Sequence, residues 1–326
     1  MRHALEQDLT TTQGGIPVVA KRPAVRCGPM DVATGIRRAG RGIVRAGAMA
    51  TADLRPDPDL IVIGVKRGGT TSLFRDLERH PAMCPLVPSA RRLPMMRENM
   101  KGVHYFDSDL HRSLRWYRSH FPTSISRAWR ARSAGASFAA EASPYYFFHP
   151  LAAERACDAL AHTVFVVMLR DPVERTISHW AEQTRNGVET LTLADAVDAE
   201  ADRVGDDGEH LDALGSSHAH EQQTYVAQSL YADSHARWVQ AAGDDRLITV
   251  FSEDYYRDPA GVVDVITGAL GLAPTAAGAT VHRNAAPRPA PIDSDLEAQL
   301  VERFRPDVER LADRLGRRPP WPRFAR

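Results

Sequence analysis

Three short apolar runs organise this chain: Leu60 to Ile63, Thr163 to Leu169 and Leu247 to Phe251. Runs of this length, apolar at consecutive positions, predict strands buried on both faces of a parallel sheet. A helix-like stretch follows each one, over 71–79, over 173–186 with Asn186-Gly187 as its stop, and over 259–270. Strand and helix in alternation predict an α/β fold of three layers, a central parallel sheet flanked by helices. Between 187 and 224 the chain is polar and acidic, which predicts short helices and a lid.

Pro56-Asp57-Pro58-Asp59 punctuates the chain ahead of the first strand. Residues 1–56 are therefore read as an N-terminal extension, poorly ordered, and 57–326 as one domain. The extension carries nine basic residues against four acidic ones. A second reading makes 31–50 a basic helix lying on the domain or on anionic lipid, a peripheral membrane contact.

The densest chemistry lies in Gly64-Val65-Lys66-Arg67-Gly68-Gly69-Thr70-Thr71-Ser72, between the first strand and its helix. Glycines let a backbone wrap closely around an oxyanion, and a helix N-terminus turns free N–H groups toward it. Lys66 and Arg67 add positive charge, and Thr70, Thr71 and Ser72 add hydroxyl donors. Gly64 and Gly69 nearly fit the GxxxxGK[ST] pattern, but Thr70 stands where that pattern requires lysine. No acidic strand end for magnesium is visible either. The reading is a P-loop-like phosphate cradle that needs no metal, with a plain strand-to-helix turn as its alternative.

A second motif runs from Val166 to Ser178. Arg170 ends a predicted strand, where open α/β sheets place their ligands. Pro172 suits a first helical turn, and Ser178 follows Arg170 by eight residues. Such an arginine and hydroxyl can grip one phosphate. Alternatively, Arg170 pairs on the surface with Asp171 or Glu174.

Composition narrows the picture. The chain is 43% hydrophobic and 25% charged with a formal net charge of zero, so it can bury a core and carries no global field for nucleic acid. Cys27, Cys84 and Cys157 are too few and too scattered for a zinc site or a disulfide framework. No apolar run approaches the ~20 residues of a membrane span, and no signal core opens the chain, so a cytoplasmic protein is expected.

Together the two motifs resemble the sulfotransferases that use 3′-phosphoadenosine 5′-phosphosulfate (PAPS), in particular the bacterial group similar to the sulfotransferase domains of heparan sulfate biosynthesis. The resemblance spans about 57–320. It includes Lys101-Gly-Val-His-Tyr-Phe-Asp107, Trp116-Tyr117, Glu141-Ala-Ser-Pro-Tyr145-Tyr146 and Ser229-Leu230-Tyr231. It implies a P-loop-like fold in which Arg67, Gly68, Gly69, Thr70, Thr71 and Ser72 hold the 5′-phosphosulfate. It implies Arg170 and Ser178 on the 3′-phosphate, with Arg283 on a loop closing over that side. The product would be PAP, the desulfated nucleotide. The acceptor would be a carbohydrate, glycolipid or small metabolite bearing a hydroxyl or amine.

Two departures matter. The loop lysine of the family, which steadies the leaving bridging oxygen, is Arg67 here, with Lys66 beside it. Arg67 supplies charge but is a poor proton donor; Lys66 shares the task if its side chain turns inward. The glutamate that serves relatives as base falls at Gly102, which cannot take a proton. His104 is then the expected base, with Glu141 as its rival and a purely structural role for both as the third possibility. Tyr145 to Phe148 are read as core or as a wall of the acceptor pocket, and His218, His220 and Glu221 as a polar cluster near either substrate. The other functions weighed are a P-loop kinase or nucleotide hydrolase, and a PAP-binding protein without catalysis.

Overall fold

A computed structural model of the chain describes residues 44–87, 100–205, 211, 217–274 and 292–325. Five strands, β1 (Leu60–Gly64), β2 (Met83–Cys84), β3 (Phe138–Ala142), β4 (Val164–Leu169) and β5 (Leu247–Phe251), form one sheet in the order β2-β3-β1-β4-β5. Every pairing is parallel. Helices follow in chain order as α1 (44–50), α2 (Thr70–Arg79), α3 (Leu114–Arg118), α4 (Ser124–Ala134), α5 (Ala152–Ala159), α6 (Pro172–Arg185) and α7 (Leu193–Asp198). The rest are α8 (Glu200–Val204), α9 (His218–Gln222), α10 (Ala232–Ala242), α11 (Ser252–Arg257), α12 (Pro259–Gly268) and α13 (Ser294–Leu315).

Alternate side chains of a strand face opposite sides of the sheet, and each side here has its own core. Ile61, Ile63, Phe165 and Val167 pack with Ala156, Trp238 and Phe304 from α5, α10 and α13. Leu60, Val62, Val166 and Met168 pack with Phe74, Leu77 and Ile266 from α2 and α12. This is the three-layer α/β architecture expected from the pattern.

The strands read from the sequence are β1, β4 and β5, and the helices are α2, α6 and α12. The edge strand β2 and its neighbour β3 went unread. β3 spells Phe-Ala-Ala-Glu-Ala, a sequence with little strand preference of its own. It is fully buried because β1 and β2 flank it. Residues 44–55, read with the extension, pack on the domain. Ala48 and Ala52 are buried, Arg45 donates to Ser119 Oγ at 2.6 Å, and Arg55 donates to the Phe121 carbonyl. Residues 1–43 lie outside the described residues, so most of the proposed 31–50 helix does too. Among the described residues no helix is long and apolar enough to cross a membrane.

Candidate active site

The glycine loop connects β1 to α2 at the carboxyl ends of the strands. Its path is set by close approach. A Cβ on Gly68 would stand 2.5 Å from the Met168 carbonyl oxygen, and Gly69 has φ +95°, the left-handed region that glycine tolerates. The Val65 N–H donates to that Met168 carbonyl at 3.0 Å. The Ser252 hydroxyl, at the start of α11, bonds the carbonyls of Gly68 and Leu169. Among the described residues no side chain caps α2, so the N–H groups of its first turn lack a side-chain acceptor. Thr70 and Ser72 are buried, while Thr71 is exposed at the mouth.

The second motif closes on this loop. Asp171 caps α6 by accepting from the Val173 and Glu174 N–H groups, with Pro172 in the first turn. Arg170 donates to the Arg67 carbonyl at 3.1 Å and reaches Glu174 at 3.3 Å. The surface pairing with Glu174 is thus present, but the other arm holds the loop. Arg67 returns the connection: its Nε donates to Ser178 Oγ at 3.1 Å, and its Nη1 pairs with Glu182. Residues more than a hundred positions apart therefore form one cationic cluster. Beneath it, Arg175 is fully buried. Burial lowers its pKa to about 10, and among the described residues its Nε and Nη1 have no hydrogen-bond partner. The Tyr231 hydroxyl donates to the Arg170 carbonyl at 2.9 Å and steadies the strand end.

Lys66 does not join this cluster. Among the described residues its ammonium donates to α9, to Glu221 Oε1 at 2.9 Å, the Glu221 carbonyl at 3.2 Å and Gln222 Oε1 at 3.1 Å. The inward turn that would let Lys66 stand in for the family lysine is not taken, because a carboxylate on the facing helix claims its ammonium.

A third segment, 101–107, lies beside the loop. The Lys101 carbonyl accepts from the Ala142 N–H at 2.6 Å, and the Lys101 ammonium donates to Thr71 Oγ1 at 2.8 Å. Gly102 is pressed onto β3: a Cβ there would lie 2.5 Å from the Ala142 carbonyl oxygen. This local backbone has no room for a glutamate at position 102. Glu141 is fully buried and accepts from the Val103 N–H at 2.7 Å, the Ser143 hydroxyl at 2.8 Å and the Tyr117 hydroxyl at 2.8 Å. Burial raises its pKa against those bonds. Glu141 anchors the 101–105 backbone and presents no oxygen to a substrate.

His104 differs. Its side chain is 42% exposed, and its Nδ1 lies 2.9 Å from Asp107 Oδ2. Burial pulls its pKa down, but the hydrogen bond and charge of Asp107 outweigh that and raise it. Its φ of 55° is left-handed, a conformation that costs a non-glycine residue about 1–3 kcal/mol and recurs where function over-determines the backbone. Of the two expected bases, His104 is the one whose side chain is partly exposed.

Tyr145, Tyr146 and Phe147 are core residues, each at most 1% exposed. Phe148 stacks on His220 with ring centroids 4.5 Å apart. Both line a cavity of about 450 Å³ with Val197, Thr224 and Arg303. The neighbouring Glu221 pairs with Lys66 of the glycine loop. Arg283 and the loop around it lie outside the described residues. Sequence reasoning missed Lys101, Asp107, Glu182 and Ser252 as site residues. Lys101 and Asp107 left a signal, each three residues from His104 in a segment already singled out; Glu182 and Ser252 come from distant elements.

Known proteins agree with this geometry. The Sulfotransferase family profile matches residues 58–276. Heparan sulfate glucosamine 3-O-sulfotransferase 6 of Homo sapiens is 27% identical over 81% of this chain and 66% of its own length. Membrane-associated sulfotransferase kil1 of Dictyostelium discoideum is 30% identical over 38% of this chain and 22% of its own length. The chain thus spans less than two thirds of the length of either relative. The crystal structure of a sulfotransferase from Alicyclobacillus acidocaldarius superposes with a TM-score of 0.56 at 25% identity, covering 80% of this chain and 97% of that one. With a profile match across the sheet and both motifs, this chain belongs to the sulfotransferase family.

Proposed function

We propose that the chain transfers the sulfuryl group of PAPS to a hydroxyl or amine, releasing PAP. The observation that carries this reading is the Arg67 bridge. One guanidinium ties the glycine loop to Ser178, while Arg170 ties the second motif back to the loop. A nucleotide with phosphate at both ends suits a site with two linked anion grips. Arg170 and Ser178 would hold the 3′-phosphate, and Arg67 with residues 68–72 and the α2 N-terminus the 5′-phosphosulfate. His104, oriented by Asp107, would take the acceptor proton.

Sulfuryl transfer is an in-line displacement in which charge builds on peripheral and bridging oxygens. Fixed cations and N–H dipoles therefore supply most of the acceleration. The cavity at Phe148 and His220 is the favoured acceptor site, large enough for a sugar unit or small metabolite. A relative named for heparan sulfate glucosamine supports a carbohydrate. A net charge of zero gives no steering field for a polyanion.

Calorimetric titration with PAP, without magnesium and with ATP as control, tests the donor site. PAP binding tighter than ATP, weakened about tenfold or more by Arg170→Ala, is expected for a lost charge-assisted phosphate contact. Absence of PAP binding would remove the reading.

A further inference from the structure

The chain has three lysines, Lys21, Lys66 and Lys101. The first lies outside the described residues, and the second is held by α9. Lys101 alone places an ammonium on the anion cradle, 2.8 Å from the exposed hydroxyl of Thr71 in the first turn of α2. No carboxylate among the described residues forms an ion pair with it, whereas Lys66 and Arg67 are paired with Glu221 and Glu182. Its backbone is pinned to the end of β3 through the Ala142 N–H.

We propose that Lys101 is the general acid of the transfer, passing its proton to the phosphate oxygen that leaves sulfur. This rests on the PAPS reading above. The acceptor oxygen or nitrogen forms its bond to sulfur as the bond from sulfur to the bridging phosphate oxygen breaks. The electron pair of the broken bond stays on that phosphate oxygen, and Lys101 gives it one proton. The acceptor's proton goes to His104. Lys101 and His104 then each exchange one proton with water and return to their starting forms.

The surroundings suit an acid. The charged groups facing Lys101 are Arg75 on α2, Lys66 and Arg67 on the loop, and Glu182 on α6. Burial lowers the ammonium's pKa most; Arg75, Arg67 and Lys66 lower it further, and Glu182 opposes them. A lysine made more acidic donates more readily near neutral pH, which a guanidinium does not do. The chain therefore tolerates arginine at the loop position because its proton donor sits on a different segment.

Formation of PAP from PAPS with water as acceptor, followed in single turnover, tests this with no need for the natural acceptor. Lys101→Arg keeps the charge and removes the acid. The expected outcome is a rate loss of about 10²–10⁴-fold, the usual worth of acid–base catalysis, with PAP affinity within about threefold of wild type. Adding Arg67→Lys to Lys101→Arg should recover at least about tenfold. A Lys101→Arg variant as fast as wild type overturns the proposal, and so does a wild-type protein that binds PAP but leaves PAPS intact.

A second measurement needs no variant to fold well. Reductive ¹³C-dimethylation of the three lysines should give one resonance that titrates below the others and shifts when PAP is added. If no such signal exists, Lys101 is not the acid. Failure of the wild type to bind PAP at all would instead strike the donor reading.

Discussion

The loop 64–69 and the segment 101–107 lie against the same helix end, yet they handle charge in opposite ways. In the loop, each cation is claimed by a carboxylate from a distant helix, Lys66 by Glu221 on α9 and Arg67 by Glu182 on α6. In 101–107, the Lys101 ammonium hydrogen-bonds among the described residues to a hydroxyl and to no carboxylate, and His104 is the group that receives a carboxylate, Asp107. Adjacency in sequence to a phosphate cradle therefore does not decide which cation serves it. In the proposed transfer the loop supplies shape and a fixed electrostatic frame, and the second segment supplies groups able to exchange protons.

The comparison breaks most completely at its geometric end. Gly68→Ala places a Cβ 2.5 Å from a backbone oxygen of β4, with no flexible side chain to yield. Overpacking of this kind costs about 1–3 kcal/mol, and here it also moves the cradle. PAP binding should fall by more than about 100-fold in calorimetry, with a lower Tm in the same preparation.

Next comes the proton-handling segment. His104→Ala should slow transfer by about 10²–10⁴-fold while leaving PAP affinity within about twofold. Equal losses in both would mean that the segment helps hold the donor. Glu141→Ala should behave differently, lowering stability by about 1–3 kcal/mol in chemical denaturation as buried donors lose their acceptor.

The pH profile sharpens the point. Asp107 raises the His104 pKa, and a base works only when neutral. The rate should therefore climb with pH through a value above the ordinary ~6.5 of histidine. Asp107→Asn removes the raising charge, so the acidic limb should move to lower pH even as the maximum falls. An unmoved limb would dissociate His104 from the rate.

The smallest effect concerns the shared charges. Glu182→Gln frees the Arg67 guanidinium, and PAP affinity should rise by a few-fold, no more than the ~1 kcal/mol of a partly exposed pair. A loss of affinity would show that Glu182 positions Arg67 rather than competing for it.

What could be read in the sequence follows from range. β1, β4 and β5 were legible because consecutive apolar residues announce a buried strand. The glycine loop was legible because its constraints lie within a few residues. Arg170 and Ser178 were legible as a pair because α6 carries both from one strand end. β3 was not, because its alanines become a strand only between two others.

Pairing across the fold was equally hidden. The sequence places Lys66 and Arg67 side by side, but α9 and α6 decide where their side chains turn. Glu141 looked available as a base until Tyr117, Ser143 and Val103 closed around it. By itself the sequence determined the three-layer frame and singled out the two motifs proposed to grip phosphate, because backbone conformation and strand burial are local or periodic properties. Tertiary structure alone decided which cations stay unpaired and which acids stay exposed, because charge compensation and burial depend on neighbours contributed from anywhere in the chain.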